Sequence, residues 1–271
     1  MESGPSRTAM LAATGRAFHL LAYGPRALLA DWLAYPLLGP DADAYVDAAK
    51  GLVGDSAAAY ATWHAARVRF TEDWLAANQS EQYVILGAGL DSFAWRHDGT
   101  DQTHEFDHPA TQAWKRARLE KLAVPWPESL SMMAADFENE SVADVLMRSN
   151  VDFSHPLFVS WLGVIPYLTA DAIIATLRAL PPCDAAISYA LPLHACDESS
   201  RGFAETVAGA AAAMGEPFIT LTTPEETRDL LQAGGFEVDE DLGATDVTKR
   251  FGLPCVSYER IVLAHKTRPS G

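Results

Sequence analysis

Four apolar residues, 83–86, run directly into the sequence Gly87-Ala88-Gly89. A short apolar run without alternating polar residues is typical of a strand that is buried on both faces of a parallel sheet. Glycines at its end let the backbone turn sharply and let a ligand approach it closely. This strand and its glycine loop therefore predict an α/β fold with a binding site at the end of a central strand.

Further strand and helix patterns alternate along the rest of the chain. Apolar or β-prone runs lie at residues 103–107, 130–134, 157–162, 185–190 and 256–265. Helical patterns lie between them, at residues 108–122, 138–148, 169–180 and 224–233. Because strands and helices alternate, we expect a mostly parallel sheet with helices on both faces.

The chain before Glu81 carries helical patterns and no strand signal. Within residues 56–77, apolar side chains recur at helical spacing, at Ala59, Trp63, Ala66, Phe70 and Trp74. We expect a helical cap at about residues 1–79 and an α/β core at about 80–271, both within one domain of 271 residues. Residues 191–223, which include a helical pattern, form an insertion that we expect to cover the carboxyl edge of the sheet.

The charge and the cysteines exclude several classes of protein. The chain has 36 acidic and 20 basic residues, a net charge of −16, which repels nucleic acids and anionic membranes. Its three cysteines are odd in number and lie outside any CxxC pattern, so we expect no disulfide framework, no zinc knuckle and a cytoplasmic location. We expect no signal peptide and no membrane span, and the oligomeric state stays open.

An acidic residue ends the strand that follows the glycine loop. Asp107 lies 107 − 87 = 20 positions after Gly87, where a carboxylate can accept both hydroxyls of an adenosine ribose. Asp107 could instead cap the helix that starts near Pro109. A nicotinamide-dependent dehydrogenase is the competing class, but Ser92 stands where its fingerprint has a third small residue.

Four sequence blocks resemble the leucine carboxyl methyltransferase family of S-adenosylmethionine-dependent enzymes, in particular its bacterial small-molecule branch. They are residues 66–70 (ARVRF), 84–96 (VILGAGLDSFAWR), 105–119 (EFDHPATQAWKRARL) and 158–168 (FVSWLGVIPYL). The resemblance covers roughly residues 60–190. It implies a Rossmann-like class I methyltransferase fold, with a mostly parallel seven-stranded sheet and one reversed strand.

The resemblance also implies which residues bind S-adenosylmethionine. Arg67 would bind the carboxylate of its methionine moiety, Gly87 and Gly89 would pass beneath its amino-acid part, and Asp107 would hold the ribose. Asp136 and Phe137 match the acidic–apolar pair that contacts the adenine.

The chain departs from many relatives at the end of the fourth strand, where Trp161-Leu162-Gly163 replaces an acidic residue that would face the methionine ammonium. Whether an acid from elsewhere takes that place stays open.

The acceptor side carries weaker signals. Trp161 and Tyr167 lie near a strand's carboxyl end, where ligands of open α/β sheets bind, so we expect both in the substrate pocket. His194 follows the 185–190 strand, and we expect it in the same pocket as a candidate base, with Tyr167 as a second candidate catalytic residue. His104 and His108 have a spacing that binds zinc on a helix, but they lie on a strand and its turn, so we expect no metal.

The predicted function is an S-adenosylmethionine-dependent O-methyltransferase that acts on a small molecule of secondary metabolism and releases S-adenosylhomocysteine. A carboxylate acceptor is ionised at neutral pH and needs no base, whereas a phenol must lose its proton during attack. Without a convincing catalytic dyad, the sequence mildly favours a carboxylate. Two alternatives stay open: a protein that binds this cofactor for a non-methyl reaction or for regulation, and an NAD-dependent oxidoreductase.

Overall fold

The computed structural model describes residues 5–78, 80–97, 102–137 and 139–267. The strands are β1 (Gln82–Leu86), β2 (Gln102–Asp107), β3 (Leu130–Ala134), β4 (Leu157–Trp161), β5 (Cys183–Ala190), β6 (Glu237–Leu242) and β7 (Glu259–Lys266). They form one seven-stranded sheet in the order β3-β2-β1-β4-β5-β7-β6. Strand β7 runs antiparallel to both of its neighbours, β5 and β6. The predicted mostly parallel sheet with one reversed strand is therefore confirmed.

Strand β1 lies at the centre of the sheet because both of its edges and both of its faces are covered. It pairs in parallel with β2 on one side and with β4 on the other. All five of its residues are buried, which explains its apolar run. The chain moves outward from β1 to β3 and then crosses back to β4. Open α/β sheets bind ligands at such a reversal of strand order, outside the carboxyl ends of the strands.

Eleven α-helices lie within the described residues. They are α1 (Arg7–Tyr23), α2 (Ala34–Leu37), α3 (Ala42–Val53), α4 (Ala57–Asn78), α5 (Phe93–Arg96), α6 (Pro109–Lys121), α7 (Val142–Met147), α8 (Ala170–Ala179), α9 (Glu198–Ala213), α10 (Pro224–Ala233) and α11 (Ala244–Phe251). None of these helices has the length and apolar character that a bilayer crossing requires.

Helices α1 to α4 precede the sheet, but they do not all belong to the same core. Met10 of α1 and Leu37 of α2 pack in a small apolar cluster together with Leu90 of the loop after β1. In contrast, Trp63 and Phe70 of α4 join the main core beneath the sheet. Helix α4 therefore connects the cap to the sheet, and its side chains can reach the carboxyl edge.

Three elements differ from the sequence-based expectation. Strand β6 was not predicted, because its sequence EVDEDL is acidic and disfavours strand formation. It is an edge strand that pairs only with β7, and charged side chains on an edge strand hinder pairing with other chains. Helix α11 was not predicted either. Helix α7 begins later than the predicted 138–148, and residue 138 lies outside the described residues.

The segment 191–223 lies across the carboxyl ends of β4 and β5. After α9, the Ile219 amide donates to the carbonyl of Pro166, which follows β4, at 2.6 Å. The Thr222 amide donates to the carbonyl of Ala190, at the end of β5, at 3.0 Å. These hydrogen bonds make the segment one wall of the space above the sheet.

Candidate active site

The glycine loop passes closely under the space at the end of β1. Gly87 and Gly89 both have positive φ values, of 68° and 54°, which side chains other than glycine rarely adopt. A Cβ atom on Gly87 would lie 2.7 Å from Cγ2 of Val164, so no side chain fits there. The loop backbone can therefore contact a ligand directly.

Asp107 is held at the neighbouring end of β2 by two backbone amides. Its Oδ2 accepts from the Gly89 amide at 2.5 Å and its Oδ1 from the His108 amide at 2.6 Å. Burial, the largest effect, raises the pKa of Asp107 despite these hydrogen bonds. His108, and not Asp107, caps α6, because its Nδ1 accepts from the Ala110 amide. Each carboxylate oxygen keeps accepting capacity, so Asp107 can still bind ligand hydroxyls.

Arg67 of α4 reaches the same edge and pairs with Glu259. Its Nη1 donates to Glu259 Oε2 at 2.9 Å, and Trp63 Nε1 donates to the same oxygen at 2.6 Å. Both charged side chains are less than one-tenth exposed. Among the described residues, neither Arg67 Nε nor Glu259 Oε1 has a hydrogen-bond partner. Gly163 makes room for the guanidinium, since a Cβ there would lie 3.2 Å from Arg67 Nη1.

Sequence reasoning missed Glu259. It is the first residue of β7, and because β7 is antiparallel it lies opposite Ala190, the last residue of β5. The reversed strand therefore brings an acid to the edge where the parallel strands end. A signal was available, since Glu259 interrupts an otherwise apolar strand pattern that continues into Ile261 and Val262.

His64, one turn before Arg67 on α4, was also missed. It is buried, and neither ring nitrogen has a hydrogen-bond partner in the described part of the chain. Burial is the main cause that lowers its pKa well below the usual value, so the ring is neutral. Gly15 of α1 packs directly against it, because a Cβ on Gly15 would lie 2.4 Å from the ring.

These residues surround one cavity of about 1520 Å³. It is lined by seven of the residues that the sequence singled out: Arg67, Gly87, Gly89, Asp107, Asp136, Phe137 and Tyr167. Asp136 and Phe137 lie directly after β3, with Phe137 packed against the main core. Tyr167 lies after β4, with its ring edge-on to Phe218 of the 191–223 segment.

Two predicted pocket residues lie elsewhere. Trp161 is 3% exposed in the main core and does not line the cavity, whereas its neighbours Ser160 and Leu162 do. Successive side chains of a strand point to opposite faces, which explains this alternation. His194 is exposed on the turn Leu193–Ala195 and is not part of the cavity wall.

Comparison with known proteins agrees with this geometry. The family model of leucine carboxyl methyltransferases matches residues 9–180. The chain belongs to this family. The predicted resemblance is thereby confirmed.

One curated relative of this chain is "Putative S-adenosyl-L-methionine-dependent methyltransferase YktD" of Bacillus subtilis (strain 168). It is 32% identical over 180 residues, which is 64% of this chain. The match spans only 59% of that relative's own length. The family match and this relative confirm, at the level of the family, the prediction of S-adenosylmethionine as the cofactor.

Solved structures show the same fold. A DUF574 family protein from Streptomyces avermitilis superposes with a TM-score of 0.64 at 13% identity, covering 97% of this chain and 98% of that chain. Magnesium protoporphyrin IX methyltransferase from Synechocystis, solved with S-adenosylhomocysteine, has a TM-score of 0.53 at 14% identity, covering 82% of this chain and 93% of that chain. At these identities the likeness concerns the fold alone.

The cavity has groups that fit this cofactor. The buried Arg67 has an unpartnered Nε that can donate to a carboxylate, and Glu259 has an unpartnered Oε1 that can accept from an ammonium. No side chain fits on Gly87 beside Val164, so the backbone of the glycine loop can contact the cofactor directly. The cavity's carboxylates also suit a ligand whose sulfonium and ammonium make it a net cation.

Proposed function

We propose that the protein is an S-adenosylmethionine-dependent O-methyltransferase that acts on a carboxylate or hydroxyl oxygen of a small molecule, such as a secondary metabolite. The observation that carries this proposal is the convergence of four features on one cavity wall. These features are the glycine loop after β1, Asp107 after β2, Arg67 on α4 and Glu259 on β7. The cavity opens at the carboxyl ends of the strands, where sheets of this type bind ligands.

Each group has a role that follows from its chemistry. Asp107 accepts hydrogen bonds from the ribose hydroxyls, and Arg67 donates from Nε to the methionine carboxylate. Glu259 accepts from the ammonium through Oε1, which supplies the acid that is missing after β4. Asp136 and Phe137 face the adenine, as the resemblance implied.

When bound, S-adenosylmethionine supplies a methyl group whose bond to sulfur breaks as its bond to the acceptor oxygen forms, leaving S-adenosylhomocysteine. The chain's own task is to align the acceptor and exclude water. Helices α1 and α4 close one side of the cavity, and the 191–223 segment closes another. Arg7 of α1 ties these two walls together, because its Nη1 donates to the Met214 carbonyl at 3.1 Å.

Ligand binding provides the first test. S-adenosylhomocysteine should raise the melting temperature of the protein, and the rise should grow with the logarithm of its concentration relative to its Kd. NADH should not raise it. Transfer of a labelled methyl group to an oxygen should then follow with a suitable acceptor. Stabilisation by NADH alone would contradict the proposal, and intact S-adenosylmethionine with every acceptor would reduce it to cofactor binding.

A matched pair of arginine variants tests the site itself. Arg67→Lys loses the planar donor set and should weaken S-adenosylhomocysteine binding at least tenfold by calorimetry, about 1.4 kcal/mol. Arg69→Lys is the control, because Arg69 lies on the same helix, is 43% exposed and pairs with Asp73. Equal affinity in both variants would remove Arg67 from the site.

A further inference from the structure

Aromatic rings form a second part of the cavity wall, beside Arg67 and Glu259. We call it the acceptor chamber and define it by Tyr60, Tyr167, Tyr258, Phe218 and Glu216, all of which line the cavity. The Tyr60 and Tyr258 rings lie with their centroids 6.1 Å apart, and those of Tyr167 and Phe218 lie 5.5 Å apart. The faces and edges of these aromatic rings favour a flat apolar ligand.

The three tyrosines of the acceptor chamber are uncharged. Burial is the main cause that raises the pKa of Tyr60, of Tyr167 and of Tyr258 above the usual value. None of their hydroxyls hydrogen-bonds to another residue in the described ranges. The chamber therefore offers neutral rings with free hydroxyls, and no tyrosinate that would repel or deprotonate an incoming group.

Glu216 supplies the chamber's unpaired carboxylate. Its Oε2 is buried and has no hydrogen-bond partner among the described residues. The backbone around it is held, because the Glu216 amide donates to the Ala211 carbonyl at 3.0 Å and Thr220 Oγ1 donates to the Leu168 carbonyl at 2.5 Å. A buried acceptor without a partner is costly, so it indicates a ligand that donates to it.

The charges of the cavity wall disfavour an anionic acceptor. Its two arginines are already paired with buried carboxylates, Arg16 with Asp31 and Arg67 with Glu259, and no lysine of the described residues lines the cavity. Five carboxylates line it, at Asp91, Asp107, Asp136, Glu216 and Glu259. The proposed function commits the remaining donor of Arg67 to the methionine carboxylate, so a carboxylate acceptor would meet like charge with no further side-chain cation to pair it. This opposes the mild preference for a carboxylate that the sequence suggested.

We propose that the acceptor is a flat aromatic hydroxyl compound that lies in the acceptor chamber and donates its hydroxyl hydrogen bond to Glu216. This inference rests on the proposed function, since it specifies which oxygen receives the methyl group. As the new oxygen–carbon bond forms, the hydroxyl proton passes to Glu216 Oε2 and from there to water. The electron pair of the broken carbon–sulfur bond stays on sulfur, so charge and atoms balance.

Two probes that differ only in the reacting group test this inference. 4-Phenylphenol and biphenyl-4-carboxylate are titrated by calorimetry into the protein saturated with S-adenosylhomocysteine. The phenol should bind at least about tenfold more tightly than the carboxylate. In Glu216→Gln the phenol should bind about five- to tenfold more weakly, because a charge-assisted hydrogen bond becomes a neutral one. The carboxylate should bind more tightly in that variant.

Glu205→Gln is the matched control, because it removes the same charge at a position that is exposed on α9 and does not line the cavity. It should change neither affinity. Tighter or equal binding of the carboxylate, an unchanged preference in Glu216→Gln, or no binding of either probe would overturn the inference. Failure of S-adenosylhomocysteine to bind would instead overturn the proposed function, so the two failures are distinguishable.

Discussion

Two arginines line the same cavity, and each is paired with a buried carboxylate, yet the two pairs differ in how completely they are hydrogen-bonded. Asp31 accepts from Arg16 Nε at 2.7 Å, from Ser92 Oγ at 2.6 Å and from the Ala34 amide at 3.0 Å. Arg16 also donates to the Leu90 carbonyl at 2.7 Å. This pair fastens the cap to the loop after β1.

The Arg67–Glu259 pair is less complete. Glu259 Oε2 accepts from both Arg67 and Trp63, while Glu259 Oε1 and Arg67 Nε have no partner among the described residues. Burial is similar in the two pairs, so burial does not distinguish a structural ion pair from a binding one. The unused hydrogen-bonding groups do distinguish them, because a buried donor without a partner, such as Arg67 Nε, is costly and a ligand can pair it.

The largest expected effect is a loss of protein stability when the Arg16–Asp31 pair is broken. Asp31→Asn leaves Arg16 without its counter-charge and should lower the free energy of unfolding by about 3–5 kcal/mol in urea titrations at pH 7. Asp73→Asn is the control, because Asp73 pairs with Arg69 and Arg250 at the surface and should cost at most about 1 kcal/mol. Equal costs would contradict the distinction between these pairs.

The pH dependence sharpens that prediction. Burial raises the pKa of Asp31, but Arg16 and Arg96 lower it by more, so the folded-state pKa lies below the usual value. A lowered carboxyl pKa contributes stability above the unfolded value of about 3.9, and that stability is lost as the pH falls through the folded pKa. The difference between wild type and Asp31→Asn should therefore shrink in acid. A constant difference down to the acid transition would contradict this account.

The next largest effect is on ligand binding through the incomplete pair. Glu259→Gln removes the charge that we propose pairs with the methionine ammonium, and it should weaken S-adenosylhomocysteine binding about 10- to 100-fold by calorimetry. Its loss of stability should be smaller than that of Asp31→Asn. Glu237→Gln, on the exposed start of β6, is the control and should leave the affinity unchanged. Wild-type affinity in Glu259→Gln would make Glu259 a structural residue like Asp31.

A smaller effect is expected where a glycine makes room for Arg67. Gly163→Ala places a Cβ 3.2 Å from Arg67 Nη1 at a φ of 70°, so it should cost about 1–2 kcal/mol of stability and weaken S-adenosylhomocysteine binding severalfold. Gly252→Ala has nearly the same φ, 69°, and nothing within 4 Å. It should cost similar stability without a change in affinity, so the difference between the two variants isolates the contact with Arg67.

The smallest effect is expected at His194, which lies outside the cavity. His194→Ala should leave methyl transfer within about twofold of wild type, as should His155→Ala at another exposed position. Initial rates at saturating S-adenosylmethionine provide the comparison. A collapse of activity in His194→Ala alone would show that the turn Leu193–Ala195 moves into the site during the reaction.

The parts of the site that could be predicted are local in sequence. The glycine loop and Asp107 belong to consecutive strands of one parallel unit, so the position of one indicates that of the other. Arg67 could be predicted from the resemblance, which places it on the helix before β1. Trp161 was wrongly expected to face the pocket, because the sequence shows the end of a strand but not which face of it is covered.

Of the acceptor chamber, Tyr167 was expected in the substrate pocket from its place after a strand. The other residues could not be predicted, because they come from distant parts of the chain. Tyr60, Tyr167, Glu216 and Tyr258 belong to a cap helix, the turn after β4, the 191–223 segment and the loop before β7. None of these positions forms a motif with another. Tertiary packing alone brings their side chains to one cavity.

The sequence by itself determined the α/β alternation, the central strand and the glycine loop, because these depend on short-range periodicity and spacing. The residues proposed to bind the cofactor came from the resemblance. Only the tertiary structure decided that Glu259, 192 positions from Arg67 along the chain, pairs with it at the edge where the parallel strands end. The physical reason is the reversal of β7, whose first residue lies beside the last residue of β5. Sequence separation carries no information about that pairing, since it depends on which strand the sheet places next to β5.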